Sequence, residues 1–278
     1  MKKILVPVDF SEHSEYAMEV AAGLARKHGI GIVVLHMMGL ATDVLEADEN
    51  EAAAEARYFM KLVRKRFQTF LDKPYLKGVP VTEIVQNYKV FHEIQEVAEE
   101  LGTDLIVMGS HGIGGMKDIF VGSNTEKVVR SSTFPVLVVK RSMGDFNPKK
   151  AVFAMDFEVG NLGAYQRAQA FLRQWQTEVH LVHVNLPNLQ FMSTTQIREK
   201  AEVFFKRAHK GSLPSDVQMA YVADYSIEQG LYAYAREVHA DLIAVPTHGR
   251  RGLSHFFRGS IGEDLVNHAP LPVLTFRV

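Results

Sequence analysis

Residues 109–124 read GSHGIGGMKDIFVGSN, and 137 positions later residues 246–261 read PTHGRRGLSHFFRGSI. In both, a glycine stands fourth and a Gly-Ser pair follows further on: Gly112 with Gly122-Ser123, and Gly249 with Gly259-Ser260. The first copy also opens on Gly109, where the second has Pro246. A spacing held twice in one chain predicts two structural repeats. The difference between the copies predicts that they do not carry the same chemistry.

Working outward from these stretches, short β-rich runs alternate with helix-like segments in the same order on both sides of the chain's middle. The first half gives KKILVPVD, SEYAMEVAAGLARKHG, GIVVLHMM, a charged helical stretch from Asp43 to about Leu71, VPVTEIVQNY, FHEIQEVAEELG, TDLIVMGS, the glycine stretch, TEKVVRSS and PVLVVK. The second gives KKAVFAMDF, AYQRAQAFLRQW, TEVHLVHVN, a shorter helical stretch around Arg198 to His209, VQMAYVAD, EQGLYAYAREVH, ADLIAVPT, the second glycine stretch and LPVLTFRV. Apolar runs bounded by turn residues and separated by amphipathic helices predict a parallel sheet covered on both faces. The expected fold is α/β, with two tandem doubly wound five-stranded parallel-sheet domains. Asp9 and Asp156 end the first strands, His36 and His183 lie in the second, and Asp104 and Asp241 open the fourth. The offset between copies falls from 147 to 137, so the first half carries about ten extra residues between its second and fourth strands. Residues 141–149, RSMGDFNPK, have the composition of a linker and set the expected domains at 1–144 and 145–278. The final strands, PVLVVK and LPVLTFRV, would each be an exposed apolar edge, and are expected to pair with one another.

Composition narrows the class. Hydrophobic residues make up 47% and charged residues 23% of the 278, enough apolar content for a core in each half. A net charge of -1 gives no field for nucleic acid or anionic membrane. There is no cysteine, which removes disulfides, thiol catalysis and Cys-ligated zinc, and fits a reducing compartment. MKKILVPVDF stops too soon at Asp9 for a signal peptide, and no run approaches the roughly 18 apolar residues of a membrane span. A cytoplasmic protein with no membrane partner is expected.

In an open parallel sheet, ligands bind beyond the carboxyl ends of the strands where strand order reverses. With the first strand central, Asp9 and Gly109 fall on the rim of that crevice. Glycines there let backbone amides approach phosphate oxygens, and Gly122-Ser123 starts a helix whose N-terminal amides favour an anion. A lone G-x-x-G only makes a turn. The full spacing G-x2-G-x9-G-[ST], set between strand and helix and joined to an aspartate after strand one, is far more specific. It predicts a phosphate site.

ILVPVDFSE, VVLHMM, LIVMGSHG, the long glycine spacing and TFPVLVVK together resemble the ATP-binding branch of the universal stress protein family, in two tandem copies over nearly the whole chain. The resemblance implies an adenine nucleotide α-hydrolase-like fold, with the copies related by a pseudo-twofold axis through their last strands. It implies that Asp9 contacts the adenine, aided by backbone near Met37 after strand two, with Pro7 and Gly109 near the ribose. Gly112, Gly122, Ser123 and Asn124 would cradle the phosphates of ATP, ADP or AMP, with Mg²⁺ as their companion.

The second copy keeps Asp156, Gly249, Gly259 and Ser260, but Pro246 replaces the first glycine and Ala154 stands where the first copy has Pro7. Proline removes an amide donor and fixes φ. Arg250, Arg251 and Arg258 offer phosphate partners in compensation or a solvated surface. Three readings stay open for this half: altered nucleotide binding, another ligand, or a structural role. His111 and His248 have no paired nucleophile and read as loop residues, His36 and His183 as core or strand-end residues, and EADENEAAAEAR as a solvated helix face. No H-E-x-x-H, P-loop G-x-x-x-x-G-K-[ST] or G-x-G-x-x-G occurs, so no metal site and no catalytic residue is assigned.

The leading expectation is therefore an adenine-nucleotide-binding stress-response or regulatory protein that forms an intramolecular pseudo-dimer, with room for a further homodimer and an unnamed protein partner. The alternatives are a slow ATPase or self-phosphorylating enzyme, with Ser123 as acceptor by the resemblance, and a nucleotide-independent scaffold.

Overall fold

A computed structural model describes residues 1–38, 49–87, 92–110, 123–187, 191–209, 217–247, 269 and 271–278. The first half runs β1 (Lys3–Val8), α1 (Glu12–His28), β2 (Gly31–Met38), α2 (Glu49–Leu71), β3 (Val81–Asn87), α3 (His92–Glu100), β4 (Leu105–Gly109), α4 (Ser123–Ser131), β5 (Val136–Val139). The second half runs β6 (Lys150–Ala154), α5 (Leu162–Gln174), β7 (Glu178–Asn185), α6 (Thr194–His209), β8 (Val217–Ala223), α7 (Ile227–Glu237), β9 (Leu242–Thr247), β10 (Val273–Arg277).

Successive strand residues point to opposite faces, so Ile4 and Val6 enter one apolar layer while Leu5 enters the other. The first layer is closed by α1, α2, α5 and α6, and the second by α3, α4 and α7. Helix α1 carries its boundaries in its sequence. Ser11 caps its N-terminus by accepting from the Ser14 N–H, Glu12 and Glu15 lie in its first turn, Arg26 and Lys27 in its last, and Gly29 closes it at φ 63°. The extra residues of the first half lie before β3: α2 has 23 residues and α6 has 16.

All ten strands form one sheet in the order β3-β2-β1-β4-β5-β10-β9-β6-β7-β8. Every neighbouring pair is parallel except β5 and β10, which run antiparallel. Their register places Leu137 opposite Leu274. These are equivalent residues of the two copies, so the pseudo-twofold axis passes through this pair and the seam is self-complementary. The final strands cover one another, as their apolar edges require. Because the seam is antiparallel, the carboxyl ends of the two sets of strands point in opposite directions.

Two carboxylates lock the strand registers. Asp104 Oδ2 accepts from the backbone N–H groups of Lys2 and Lys3, and Asp241 Oδ2 from those of Lys149 and Lys150 at 2.8 and 3.0 Å. Residues 141–149 are irregular and largely exposed, but they are docked at several points. Ser142 and the Met143 N–H donate to Glu19, and buried Phe146 sets its ring edge-on to Trp175, 6.5 Å between centroids. A Cβ at Gly23 of α1 would lie 3.3 Å from the Phe146 nitrogen, so this glycine lets the segment come close.

The seam also exchanges cations. Arg277, after the core of β10, donates to the Ser131 carbonyl that ends α4, and Lys140, after β5, donates to the Ala269 carbonyl at 2.9 Å. Burial pushes the Lys140 ammonium down to about 8. The unfolded chain holds that proton up to about 10.4, so folding is penalised at neutral pH and the penalty fades as pH rises through that interval. Urea unfolding of the wild type and Lys140→Met should reveal this: the difference in stability is expected to shift toward the wild type between pH 7 and pH 10, while a pH-independent difference would show that Lys140 is solvated.

Candidate functional site

The position of the site follows from where one ladder stops. β1 pairs with β2 along its whole length, to Val8 opposite His36, but with β4 only at Ile4–Leu105 and Leu5–Ile106. Beyond Ile106, β4 stays with β5 up to Gly109–Val139. The two central strands therefore part at their carboxyl ends, which is the crevice expected where strand order reverses. The second half repeats it: β6 and β9 pair only to Phe153–Ala244.

Asp9 stands at the mouth of the first crevice, half-buried, and its orientation is fixed by the turn that follows. Ser11 N–H and the Ser14 hydroxyl both donate to Asp9 Oδ1, at 3.0 and 2.6 Å, and the Asp9 N–H donates to Ser14 Oγ at 3.1 Å. This needs a left-handed residue between Asp9 and Ser11, and Phe10 has φ 65°. A left-handed conformation costs a side chain about 1–2 kcal/mol. The Phe10 ring offsets this by packing against His36, Phe67 and Phe70, at 4.5, 5.0 and 5.5 Å between centroids. His36 donates from Nδ1 to the Val8 carbonyl at 2.8 Å, and burial holds its pKa below the usual imidazole value. His183 does the same at Met155, 2.9 Å away, and is likewise lowered by burial. His183 is a buried core residue, and His36 is half-buried near the end of β2, opposite the last residue of β1.

Gly109 closes the other side of the crevice. An added Cβ would lie 2.5 Å from the His13 carbonyl oxygen, so the first turn of α1 fits against β4 only because this residue has no side chain. Its carbonyl accepts from the Thr125 hydroxyl at 2.8 Å, which ties the first turn of α4 to the end of β4. Helix α4 starts at Ser123, with Asn124 exposed beside it, so an N-terminus lies beyond β4. Pro7 pairs with Leu35 inside β1. Met37 lies within β2, opposite Gln86 of β3, and not after the strand as the sequence suggested; β1 ends opposite His36, one residue earlier. Asp9 and Gly109 thus stand at the carboxyl ends of the two strands that part, and Ser123 and Asn124 begin the helix that follows β4. Gly112 and Gly122 lie outside the described residues, as do Gly249, Gly259, Ser260, His111, His248 and the three arginines.

The second crevice is built differently. Asp156 is buried, with Oδ1 accepting from the Glu158 N–H at 2.9 Å and from Asn161 Nδ2 at 2.8 Å. Phe157 repeats the left-handed bend at φ 59° and packs on His183 and Phe205. Pro246 occupies the end of β9, opposite Phe276. The position of His13 is taken by Gly160, with open space around it, so the residue lacking a side chain has moved from the strand to the turn. There α5 starts only at Leu162, after a 3₁₀ turn at Val159–Asn161. Neither Phe10 nor the Ser14/Asn161 exchange figured in the sequence reading, although the repeated Asp-Phe at 9–10 and 156–157 carried a signal for the first.

The described part of the crevice offers a braced carboxylate at Asp9 and a helix N-terminus beyond β4. Comparison with known proteins agrees with the architecture. Residues 1–140 and 147–277 each match the universal stress protein family. The chain belongs to that family. A universal stress protein of Methanocaldococcus jannaschii is 32% identical over 161 residues, covering 50% of this chain and 95% of that protein. The universal stress protein YxiE of Bacillus subtilis is 33% identical over 146 residues, covering 50% and 98%. Relatives of this kind correspond to one half of the chain. The crystal structure of a universal stress protein from Archaeoglobus fulgidus covers 99% of this chain and 98% of its own, with a TM-score of 0.67 at 22% identity, and shares the tandem fold.

The collision at Gly109 gives a direct test. Gly109→Ala is expected to destabilise the protein by about 1–3 kcal/mol, the usual range for overpacking, measured by urea unfolding. Thr125→Val, which loses one hydrogen bond, should cost about 1 kcal/mol.

Proposed function

We propose that this universal stress protein is an adenine-nucleotide-binding regulatory protein, with one nucleotide held in the first crevice. The observation that carries the reading is the parting of β1 from β4 beside a braced Asp9. In this reading the Asp9 carboxylate accepts from the adenine amino group, backbone near Met37 meets the base, and Pro7 and Gly109 border the ribose. Gly112, Gly122, Ser123 and Asn124 hold the phosphates of ATP, ADP or AMP, and Mg²⁺ enters with them. The domains of this proposal are residues 1–144, which bind, and 145–278, whose motif is altered at Pro246. A cytoplasmic location is proposed with it; no helix among the described residues is long and apolar enough to cross a membrane.

Amide donors and a helix N-terminus stabilise ground-state phosphates and transition state about equally, which does not raise the chemical rate. The sequence has no P-loop lysine. ATP hydrolysis far below the roughly 10 per second of a typical enzyme is therefore expected. Mass spectrometry of nucleotide released from freshly purified protein should find an adenine nucleotide. By calorimetry, Asp9→Ala should weaken ATP binding by about tenfold or more, as loss of a hydrogen bond to a charged group does. Rapid turnover abolished in Asp9→Ala would make the protein an ATPase, and a chain that neither retains nor binds nucleotide would leave a scaffold.

A further inference from the structure

The extra length of the first half is not explained by the crevice. Phe67 of α2 and Phe204 of α6 each meet the left-handed phenylalanine of their own corner, and they are 137 positions apart. By that offset Thr194, where α6 begins, corresponds to Arg57, so residues 49–56 of α2 have no counterpart in α6. They add two turns, about 12 Å of helix.

Charge is segregated along α2. Residues 49–55 carry Glu49, Glu51 and Glu55 and no base, while residues 57–66 carry five bases and no acid. A surface helix commonly supports itself with opposite charges three or four residues apart. No such pair occurs in Glu49–Leu71, whereas Glu51 and Glu55, Arg57 and Lys61, and Lys61 and Lys65 set like charges at that spacing. The macrodipole favours glutamates at the start of a helix, but it does not account for bases in the middle, and the last turn has none. Among the described residues, Arg57, Lys61, Arg64 and Lys65 have no ion pair. The charges of this helix are therefore answered neither within it nor by the rest of the described chain.

One stripe of α2 shows what would answer them. Positions 51, 55, 58, 62, 65 and 69 follow the alternating four-and-three spacing that keeps to one side of a helix, and they read Glu, Glu, Tyr, Leu, Lys, Thr. Tyr58 and Leu62 are 61% and 41% exposed, although Val63, Phe67 and Phe70 of the same helix are buried. By the same offset their counterparts in α6 are Thr195 and Glu199, so the apolar pair belongs to the first half alone. Reversed, the stripe complements itself. About an axis at position 60, position 55 meets 65 and position 58 meets 62.

We propose that α2 is a docking face for a second copy of this chain, with the two α2 helices packed antiparallel about a twofold axis at position 60, Tyr58 against Leu62 of the other copy and Glu55 against its Lys65. Charge complementarity selects this occupant. An acidic partner would answer the bases and repel the glutamates, a basic one would do the reverse, and a parallel copy would set acid on acid; an antiparallel copy answers both ends at once. One helix face falls below the roughly 1,200 Å² of a standard interface, so the association is weak and sensitive to salt. It does not depend on what the first crevice binds.

The test uses the full chain. Sedimentation equilibrium should find the wild type dimerising with a dissociation constant below about 1 mM. Glu55→Lys and Lys65→Glu each bring like charges together at both ends of the symmetric joint, and each should weaken dimerisation about tenfold or more. The double variant Glu55→Lys/Lys65→Glu exchanges the charges and should return to within about threefold of the wild type, as should an equal mixture of the two single variants. Thermal melts followed by circular dichroism check that the variants fold. The chain has no cysteine, which allows an independent measurement that stands even if a charge variant does not fold. Mild oxidation of mixed Tyr58→Cys and Leu62→Cys chains should give a covalent dimer whose peptides join position 58 of one copy to position 62 of the other. A wild type that stays monomeric to about 1 mM, single reversals that leave dimerisation unchanged, an exchange that fails to restore it, or absence of the 58–62 link overturns the proposal.

Discussion

Each half of this chain ends in a short apolar strand that must be covered. Val136–Val139 and Val273–Arg277 are buried almost throughout, and the only way for two such edges to satisfy their backbone groups within one chain is to pair. Pairing through equivalent residues fixes an antiparallel seam at Leu137 and Leu274, and from that seam the rest of the architecture follows. It merges two five-stranded sheets into one, runs both apolar layers across the whole molecule, and turns the two crevices toward opposite edges. A ligand in one crevice therefore has no route to touch a ligand in the other.

Within each half, the feature that survives sequence divergence is the corner after the first strand. A carboxylate, a left-handed phenylalanine and a strand-two histidine recur at both corners with the same contacts, while the residues beyond them differ. The corner is a folding device before it is a binding one. It reverses the chain, starts the following helix and buries an aromatic ring under the second helix. Its persistence in the second half does not argue that the second half binds what the first half binds. The helix starting point supports the same separation: α1 begins at Glu12, whereas α5 begins one turn later relative to its aspartate.

Much of this was legible in the sequence because it rests on periodicity and on repetition. Alternating apolar residues such as Ile4, Leu5 and Val6 announce a strand buried on both faces, and the paired offsets of Asp9, His36 and Asp104 announce two copies. The place where β1 and β4 part was legible from the strand order, since strand ends and helix starts have local signals. What was not legible depends on partners distant in sequence. Gly109 reads as a residue cleared for a ligand, yet it is also required by the backbone of His13 nearly a hundred residues earlier. Phe146 sits in a segment whose Gly, Asn and Pro suggest a linker, but Trp175 and Gly23 give it a buried place. Asn161 looks like a helix cap, and only the geometry shows its amide turned to Asp156.

The exchange of cations across the seam has a consequence of its own. In a dimer of identical single-domain chains, any substitution at the seam is made twice, once on each side of the axis, and must suit both places. Here the two sides are separate stretches of one polypeptide. Lysine at 140 can thus be matched by arginine at 277, and Thr275 can lie opposite Val136 and donate its hydroxyl to that residue's carbonyl while its counterpart Val138 remains apolar opposite Val273. Fusion frees the joint from its own symmetry: each side can be tuned separately, so one half can specialise while the other becomes its permanent scaffold.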